Sequence, residues 1–389
     1  VSHAFLYALE ESGSVTNKTG WLPQHLLIND ENGQAVACMP IYLKNHSYGE
    51  YIFDWGWAEA YNRAGGNYYP KLQAAVPFTP ATGPRMLVRE GASDRYYQVL
   101  MNGVIQLAQK HKASSLHITF PTKDQWDRLG VSGFIKRTSK QFHWENKDYT
   151  DFDDFLSELT SRKRKAIKKE RRQVLEQGIQ LKCLTGKELT EDYWDVFYQY
   201  YLDTIDRKWG HSYLTRDFFS ILGKTMSDVA MLVIAEHQDK RVAGALNLIG
   251  SDTIFGRNWG CSEDFKFLHF EACYYQAIDF AIQNKLQWVE AGLACRKHHV
   301  RCVRYPYFGI HEVVKVALAP APHVRFVYGF VNGIQALLQR IVVVAHRMEP
   351  LHDIRSRDAK DHLHGTFGKI KHGDVPLGAC FPGVIYNIC

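Results

Sequence analysis

Residues 230–261, "AMLVIAEHQDKRVAGALNLIGSDTIFGRNWGC", decide the fold. Apolar, β-branched runs broken by polar and glycine-bearing turns read as three strands. Downstream, "HFEACYYQAIDFAIQNKL" (269–286) is an amphipathic helix with Cys273, Ala277, Phe280 and Ala281 on one face. "QWVEAG" (287–292) is the strand after it. Upstream, helices are predicted at 151–177 and 190–206. Further back, 95–112 carries apolar residues at helical spacing, "SSLHITFP" (114–121) is a strand, 122–134 a short helix and turn, and 140–149 another strand. Residues 24–43 read as a hairpin around Asp30-Glu31-Asn32-Gly33. Between them lies an aromatic, glycine-bearing stretch, 46–88, whose Pro and Gly content argues against a helix. Strand, strand, long helix, strand thus occurs twice, which implies an α/β (α+β) fold made of two copies of one unit.

Composition narrows the class. The chain has 389 residues, 46% hydrophobic and 13% aromatic, enough for a large core and too much for a disordered protein. No run reaches the length and apolarity of a membrane span. Val1-Ser2-His3 opens without a charged or apolar leader, so a fragment or processed chain without a secretory signal is expected. Eight cysteines without framework spacing suggest reduced thiols and a cytoplasmic location. The net charge of +6 is uneven: residues 291–389 hold 13 Lys/Arg against 6 Asp/Glu, and the preceding body is nearly neutral. A chain-wide basic footprint for nucleic acid is therefore absent.

Seven segments carry a resemblance. They are "YLKNHSYGEYIFDWGWAEAY", "YYPKLQAAVPFTPATGPR", "SSLHITFP", "SRKRKAIKKERR", "DRKWGHSYLTRDFF", "VAGALNLIG" and "LHFEACYYQAI". In this order they resemble the FemAB-like N-acyltransferases, tandem GNAT-type proteins labelled peptidoglycan biosynthesis or recognition. The resemblance implies two GNAT-like (acyl-CoA N-acyltransferase) domains, 1–150 and 151–292, and transfer of an acyl or aminoacyl group to an amine, with a cell-wall precursor as one acceptor. The donor would be acyl-CoA or aminoacyl-tRNA, with no bound cofactor. The strand 242–249 would offer the donor edge. No Gln/Arg-x-x-Gly-x-Gly/Ala loop precedes the helix at 269, which favours the tRNA ester over the coenzyme. The alternative is a non-catalytic module that binds a glycan or peptide through its aromatic segment, 48–69.

The residues suggest roles for this chemistry. His269 and Glu271 open a helix, where a carboxylate suits the helix dipole and is also a candidate base. Tyr275, one turn on, is either core-facing or a proton donor to the leaving group. Glu290 ends its strand, where α/β folds line their clefts. Asp54, Trp55 and Trp57, with Tyr48 and Glu50, suit a sugar or cationic amine, or inter-domain packing. Asp206, Lys208 and Trp209 follow a helix and are candidate substrate contacts. His143 shares a strand face with Gln141, opposite Phe142 and Trp144. His117 on its strand reads as a core histidine. The basic run 161–172, with Arg162, Lys163, Arg164 and Lys165, is a solvated linker helix, a clamp for donor phosphates or an RNA contact.

After Gly292 the family's Gln-Gly-Glu-His-Lys run has no counterpart. Residues 291–389 hold nine of 18 His and four of eight Cys. A reading frame shifted after about residue 292 is expected, or else a divergent tail, with packed structure ending near residue 290. Cys295, His298, His299 and Cys302 have zinc-like spacings, but adjacent histidines aim poorly at one ion, and no metal site is expected.

Overall fold

The computed structural model describes residues 2–52, 54–207, 210–290, 308–316 and 341–344. In chain order the first half runs α1 (His3–Glu11), β1 (Trp21–Pro23), β2 (His25–Asn29), β3 (Ala35–Met39), β4 (Tyr42–Lys44), α2 (Trp55–Arg63), β5 (Lys71–Ala74), β6 (Leu87–Val88), α3 (Arg95–Lys110), β7 (Ser115–Thr119), α4 (Lys123–Val131), β8 (Ile135–Gln141) and β9 (His143–Glu145). The second half runs α5 (Phe152–Ser157), α6 (Ser161–Glu176), β10 (Ile179–Thr185), α7 (Glu191–Arg207), α8 (Arg216–Met226), β11 (Ala230–His237), β12 (Lys240–Ile249), β13 (Thr253–Cys261), α9 (Leu268–Phe270), α10 (Gln276–Gln283), β14 (Trp288–Glu290), β15 (Phe308–Val316) and β16 (Ile341–Val344).

The described strands form two six-stranded sheets, ordered β1-β4-β5-β7-β15-β8 and β10-β11-β12-β13-β14-β9, and a smaller one, β16-β2-β3-β6. Each large sheet has one parallel pair joined by a long helical crossover. These pairs are β5 with β7 through α3, and β13 with β14 through α9 and α10. The expected duplication is therefore present at the level of topology. The second sheet is apolar on both faces. Leu232, Ile234 and Leu246 face α7 and α8, while Met231, Val233, Ala245, Ile254 and Val289 face α9 and α10. That double burial explains the nearly continuous apolar runs of 230–261. The first sheet differs. Leu43, Leu72, Ala74, Leu116 and Ile118 pack on α3, whereas the alternate positions Tyr42, Lys44, Lys71, Gln73, Ser115, His117 and Thr119 form a buried polar face.

Several expectations change. The stretch 46–88 does hold a helix, α2: between Asp54 and Arg63 there is no proline to prevent one. The strand 140–149 is two strands that part at Phe142, β8 in the first sheet and β9 in the second. The 151–177 helix is broken into α5 and α6, with Asp151 capping α5 through the Asp154 amide. The 269–286 helix carries a π-helical turn at Glu271–Tyr275 between α9 and α10. Strand 242–249 lies inside β12, which is hydrogen-bonded on both sides. Its neighbours are β11 and β13, and β13 in turn pairs in parallel with β14 from Thr253↔Trp288 to Phe255↔Glu290. Structure also continues past residue 290. β15 pairs with β7 and β8 at the centre of the first sheet, and β16 pairs with β2. Cys295, His298, His299 and Cys302 lie outside the described residues.

Candidate active site between the two sheets

Glu290 ends β14 opposite Phe255 of β13, on the sheet face turned toward the first lobe. Crossing from β8 to β9 puts Gln141 and His143 on either side of it. The Gln141 amide donates to Glu290 Oε1 at 2.7 Å and to the Pro80 carbonyl at 3.0 Å. His143 Nε2 lies 3.6 Å from Glu290 Oε2. Two buried guanidiniums hold the loop 78–85 against this seam. Arg257 of β13 donates to the Phe78 carbonyl and to Thr79 Oγ1. Arg85 donates to the carbonyls of Thr119 (2.9 Å), Gly83 (3.0 Å) and Ala81 (2.7 Å).

Burial dominates the electrostatics here. It pushes the Glu290 carboxyl up to about 7, against the opposing pull of Gln141, Arg257 and Arg85. It pushes the His143 imidazole down to about 4 and the Arg85 guanidinium down to about 10. At neutral pH the seam thus combines a neutral imidazole, a charged guanidinium and a carboxyl close to half-ionised. A carboxyl in that range can accept a proton and return it.

A second cluster occupies the polar face of the first sheet. Lys71 Nζ contacts the Asp54 carboxylate, Glu50 Oε2 at 2.7 Å and Ser47 Oγ at 2.8 Å. The Tyr68 hydroxyl donates to Asp54 at 2.6 Å and meets His117 Nε2 at 3.2 Å, and Ser115 Oγ lies 3.0 Å from the same nitrogen. Lys44 lies 3.7 Å from Glu50 and 3.3 Å over the Trp21 ring. Burial drives Lys44 well below the usual lysine range. Burial acts on Lys71 in the same sense, but Glu50 and Asp54 outweigh it and hold that lysine above the range. Asp54 is therefore interior, while Trp55, Trp57 and Tyr48 are exposed around it. His117 is a network member on a buried polar face.

The other sequence candidates sit elsewhere. Glu271, within the π-helical turn, is buried and accepts from Arg171 Nε at 3.2 Å and from Gln276 at 2.8 Å; Arg171 also reaches Asp279 at 3.0 Å. The Tyr275 hydroxyl donates to Glu170 of α6, and His269 packs edge-on against Trp259. The turn packs with Val289, and Glu290 points the opposite way. Glu271, His269 and Tyr275 are thus separated from Glu290 by the second sheet. On α6, Arg162 and Lys165 are exposed and Lys163 and Arg164 half-buried, with Arg164 bonded to the Ser157 carbonyl. Asp206 is exposed at the end of α7, and Lys208 and Trp209 lie outside the described residues. Sequence reasoning missed Arg85, Arg257, Lys71 and Tyr68. For Lys71 the signal is "KLQA", which alternates polar and apolar residues and marks a two-faced strand. Arg85 and Arg257 offer none, because their partners are mostly backbone carbonyls, which carry no side-chain signature in the sequence.

A model of the FemAB_like family, described as peptidoglycan biosynthesis/recognition, matches residues 1–319. The match runs past Gly292 and includes β15, so the resemblance extends further than the residues alone suggested. Among solved structures, FemX is 12% identical over 81% of this chain and 91% of its own, with a TM-score of 0.49. The C-terminal domain assigned to a lysylphosphatidylglycerol synthetase from Agrobacterium fabrum is 10% identical over 80% and 86%, with a TM-score of 0.50. A tandem GNAT protein from the clavulanic acid biosynthesis pathway is 12% identical over 82% and 89%, with a TM-score of 0.45. At these identities the likeness is one of fold. A search of curated proteins finds no match. No helix among the described residues is long and apolar enough to cross a membrane. Two α/β lobes, each with its parallel pair and helical crossover, together with the match over 319 residues, make this chain a member of the FemAB_like family.

Proposed function

We propose that the protein is an N-acyltransferase that moves an acyl or aminoacyl group onto an amine, with Glu290 as general base. The observation that carries this reading is a buried carboxyl, raised to about 7, on the last described residue of β14, against β13 and beside Gln141 and His143. The Gln141 amide fixes its orientation and His143 stands beside it. Glu290 takes a proton from the incoming ammonium, and the freed nitrogen lone pair forms the C–N bond. The donor's ester or thioester bond breaks, its alcohol or thiol leaves with the proton that Glu290 returns, and the nitrogen's second proton passes to the freed carboxylate and on to solvent. The donor is aminoacyl-tRNA or an acyl-CoA, with its phosphates on Arg162, Lys163, Arg164 and Lys165; a cell-wall precursor is the acceptor the family's description suggests. Asp54, buried on Lys71 and Tyr68, anchors the start of α2, whose exposed Trp55 and Trp57 are the acceptor contacts.

Glu290→Gln tests the role. Transfer is expected to fall by roughly 100- to 10,000-fold, with loss of the rate inflection near pH 7. An unchanged rate or profile would remove Glu290 from the mechanism. A glycan- or peptide-binding module is the second reading, favoured by the exposed rings of Tyr48, Trp55 and Trp57. It predicts glycan or peptide binding with no response to any donor.

A further inference from the structure

Arg85 is a cation that the fold keeps wholly inside. It is 1% exposed, and among the described residues no carboxylate comes within ion-pair distance of it; Glu290 acts on it from further away. An interior guanidinium without a close counter-ion destabilises a fold, so its place calls for another explanation. Its Nη2 and Nη1 hold the Ala81 and Gly83 carbonyls, and its Nε holds the Thr119 carbonyl at the end of β7. Gln125 fixes the backbone beside it: Oε1 accepts from the Arg85 and Met86 amides, and Nε2 donates to the Met86 carbonyl. At the other end of the loop, Arg257 holds Phe78 and Thr79. Residues 78–85 are thus a strap tied down at both ends, with Pro80 between the ties.

Pro80 offers its carbonyl to the Gln141 amide nitrogen at 3.0 Å, and the same nitrogen donates to Glu290 Oε1 at 2.7 Å. A primary amide nitrogen carries two hydrogens, so both are committed. The Pro80 carbonyl decides which way the amide faces. Alone with Glu290, Gln141 could turn its oxygen to a protonated carboxyl or its nitrogen to an ionised one. Beside Pro80, a turned amide would set oxygen against oxygen. Gln141 therefore donates, and donation favours the carboxylate. Oε1 is engaged in this way, and Oε2, 3.6 Å from His143 Nε2, is the oxygen left to exchange a proton. The other titratable or charged groups that act on Glu290 are Arg257 of β13 and Arg85 of the strap. We propose that Arg85 is a positioning residue for Glu290: by fixing the strap it keeps the Pro80 carbonyl on Gln141, which holds Glu290 by Oε1 and leaves Oε2 as the working base. The inference rests on the reading of Glu290 as general base and adds what keeps that base in its working form.

The test reads the ionisation of Glu290 directly and needs no substrate. Full-length protein carries a carbon-13 label at the glutamate side-chain carboxyl. The Glu290 signal, assigned by its loss in Glu290→Gln, is followed by NMR through its midpoint near pH 7. Arg85→Lys keeps the charge but gives up the planar fork that spans the strap. It is expected to raise the midpoint by about half a pH unit or more, roughly a threefold change in the ionisation constant. Gln141→Leu raises the midpoint as well, and in that background Arg85→Lys adds nothing, because its effect passes through Gln141. Gly83→Ala serves should Arg85→Lys fail to fold. Its Cβ would stand 3.3 Å from Arg85 Nη1, displacing the guanidinium slightly, and a smaller shift of the same sign is expected. A midpoint unmoved by both variants overturns the proposal, and so do equal shifts with and without Gln141. The rate of Glu290→Gln tests the acyl-transfer reading separately. If that rate is unchanged while the midpoints move as described, the base assignment fails and the hold of the strap on Glu290 stands.

Discussion

A carboxyl that titrates near neutrality inside a protein leaves a thermodynamic mark. Glu290 has an ordinary value of 4.5 and is raised to about 7 by burial. Its contribution to folding is whole below pH 4.5 and is lost as pH rises through 7, because the ionised form is favoured in the unfolded chain. At about 1.4 kcal/mol per pH unit, urea denaturation at pH 5 and pH 8 should differ by up to about 3 kcal/mol. Glu290→Gln should lack this difference. Lys71 differs in that the fold stabilises its charged form, as the shared partner of two buried carboxylates, Glu50 and Asp54. Lys71→Met strands both and should cost about 3–5 kcal/mol in chemical denaturation, with partial recovery on adding Asp54→Asn. Of these groups Glu290 was legible in the sequence, because a strand end is a local property. Lys71 was not, because its partners lie 17 to 21 residues away, on the far side of α2.

At the scale of elements, local pattern identified the long helices and the strands of 230–261 well, since their apolar periodicity reflects which faces are buried. It failed where tertiary contacts decide. The π-helical turn at Glu271–Tyr275 has no sequence mark of its own, yet Arg171 of α6 grips it from a distance of 100 residues. The break at Phe142 was likewise invisible, because β8 and β9 form one continuous β-like run that two different sheets divide. Gly260 offers a sharp test of how closely β13 approaches α7. A Cβ there would fall 2.1 Å from the Tyr200 carbonyl oxygen. Gly260→Ala should therefore destabilise by about 1–3 kcal/mol or more. Gly56→Ala, in open space on the exposed face of α2, should be neutral or stabilise by up to about 1 kcal/mol. Melting curves of the two variants decide it.

For the whole molecule, the two-unit plan was readable, but the traffic between units was not. β9, at the end of the first half, completes the second sheet, and β15, which follows the second half, lies between β7 and β8 in the first. Contacts of such long sequence separation leave no periodic trace. They also correct the expectation that packed structure ends near residue 290. A chain ended at residue 290 should lose the strand that joins β8 to its sheet and unfold at lower denaturant than a chain ended at residue 319. Circular dichroism of both truncations, read against the full chain, tests this; equal midpoints would show that β15 adds nothing to the fold.

The crossed strands have a kinetic consequence. Gln141 and His143 straddle the point where the backbone passes from one ladder to the next, and both lie against Glu290. β9 stays with β14 in the second sheet if the lobes part, so opening the seam bends the chain at Phe142 and breaks the Gln141–Glu290 bond and the Arg257 contacts with Phe78 and Thr79. Such an opening leaves both sheets whole and trades only side-chain contacts for solvent, a motion on the time scale of lobes rather than of unfolding.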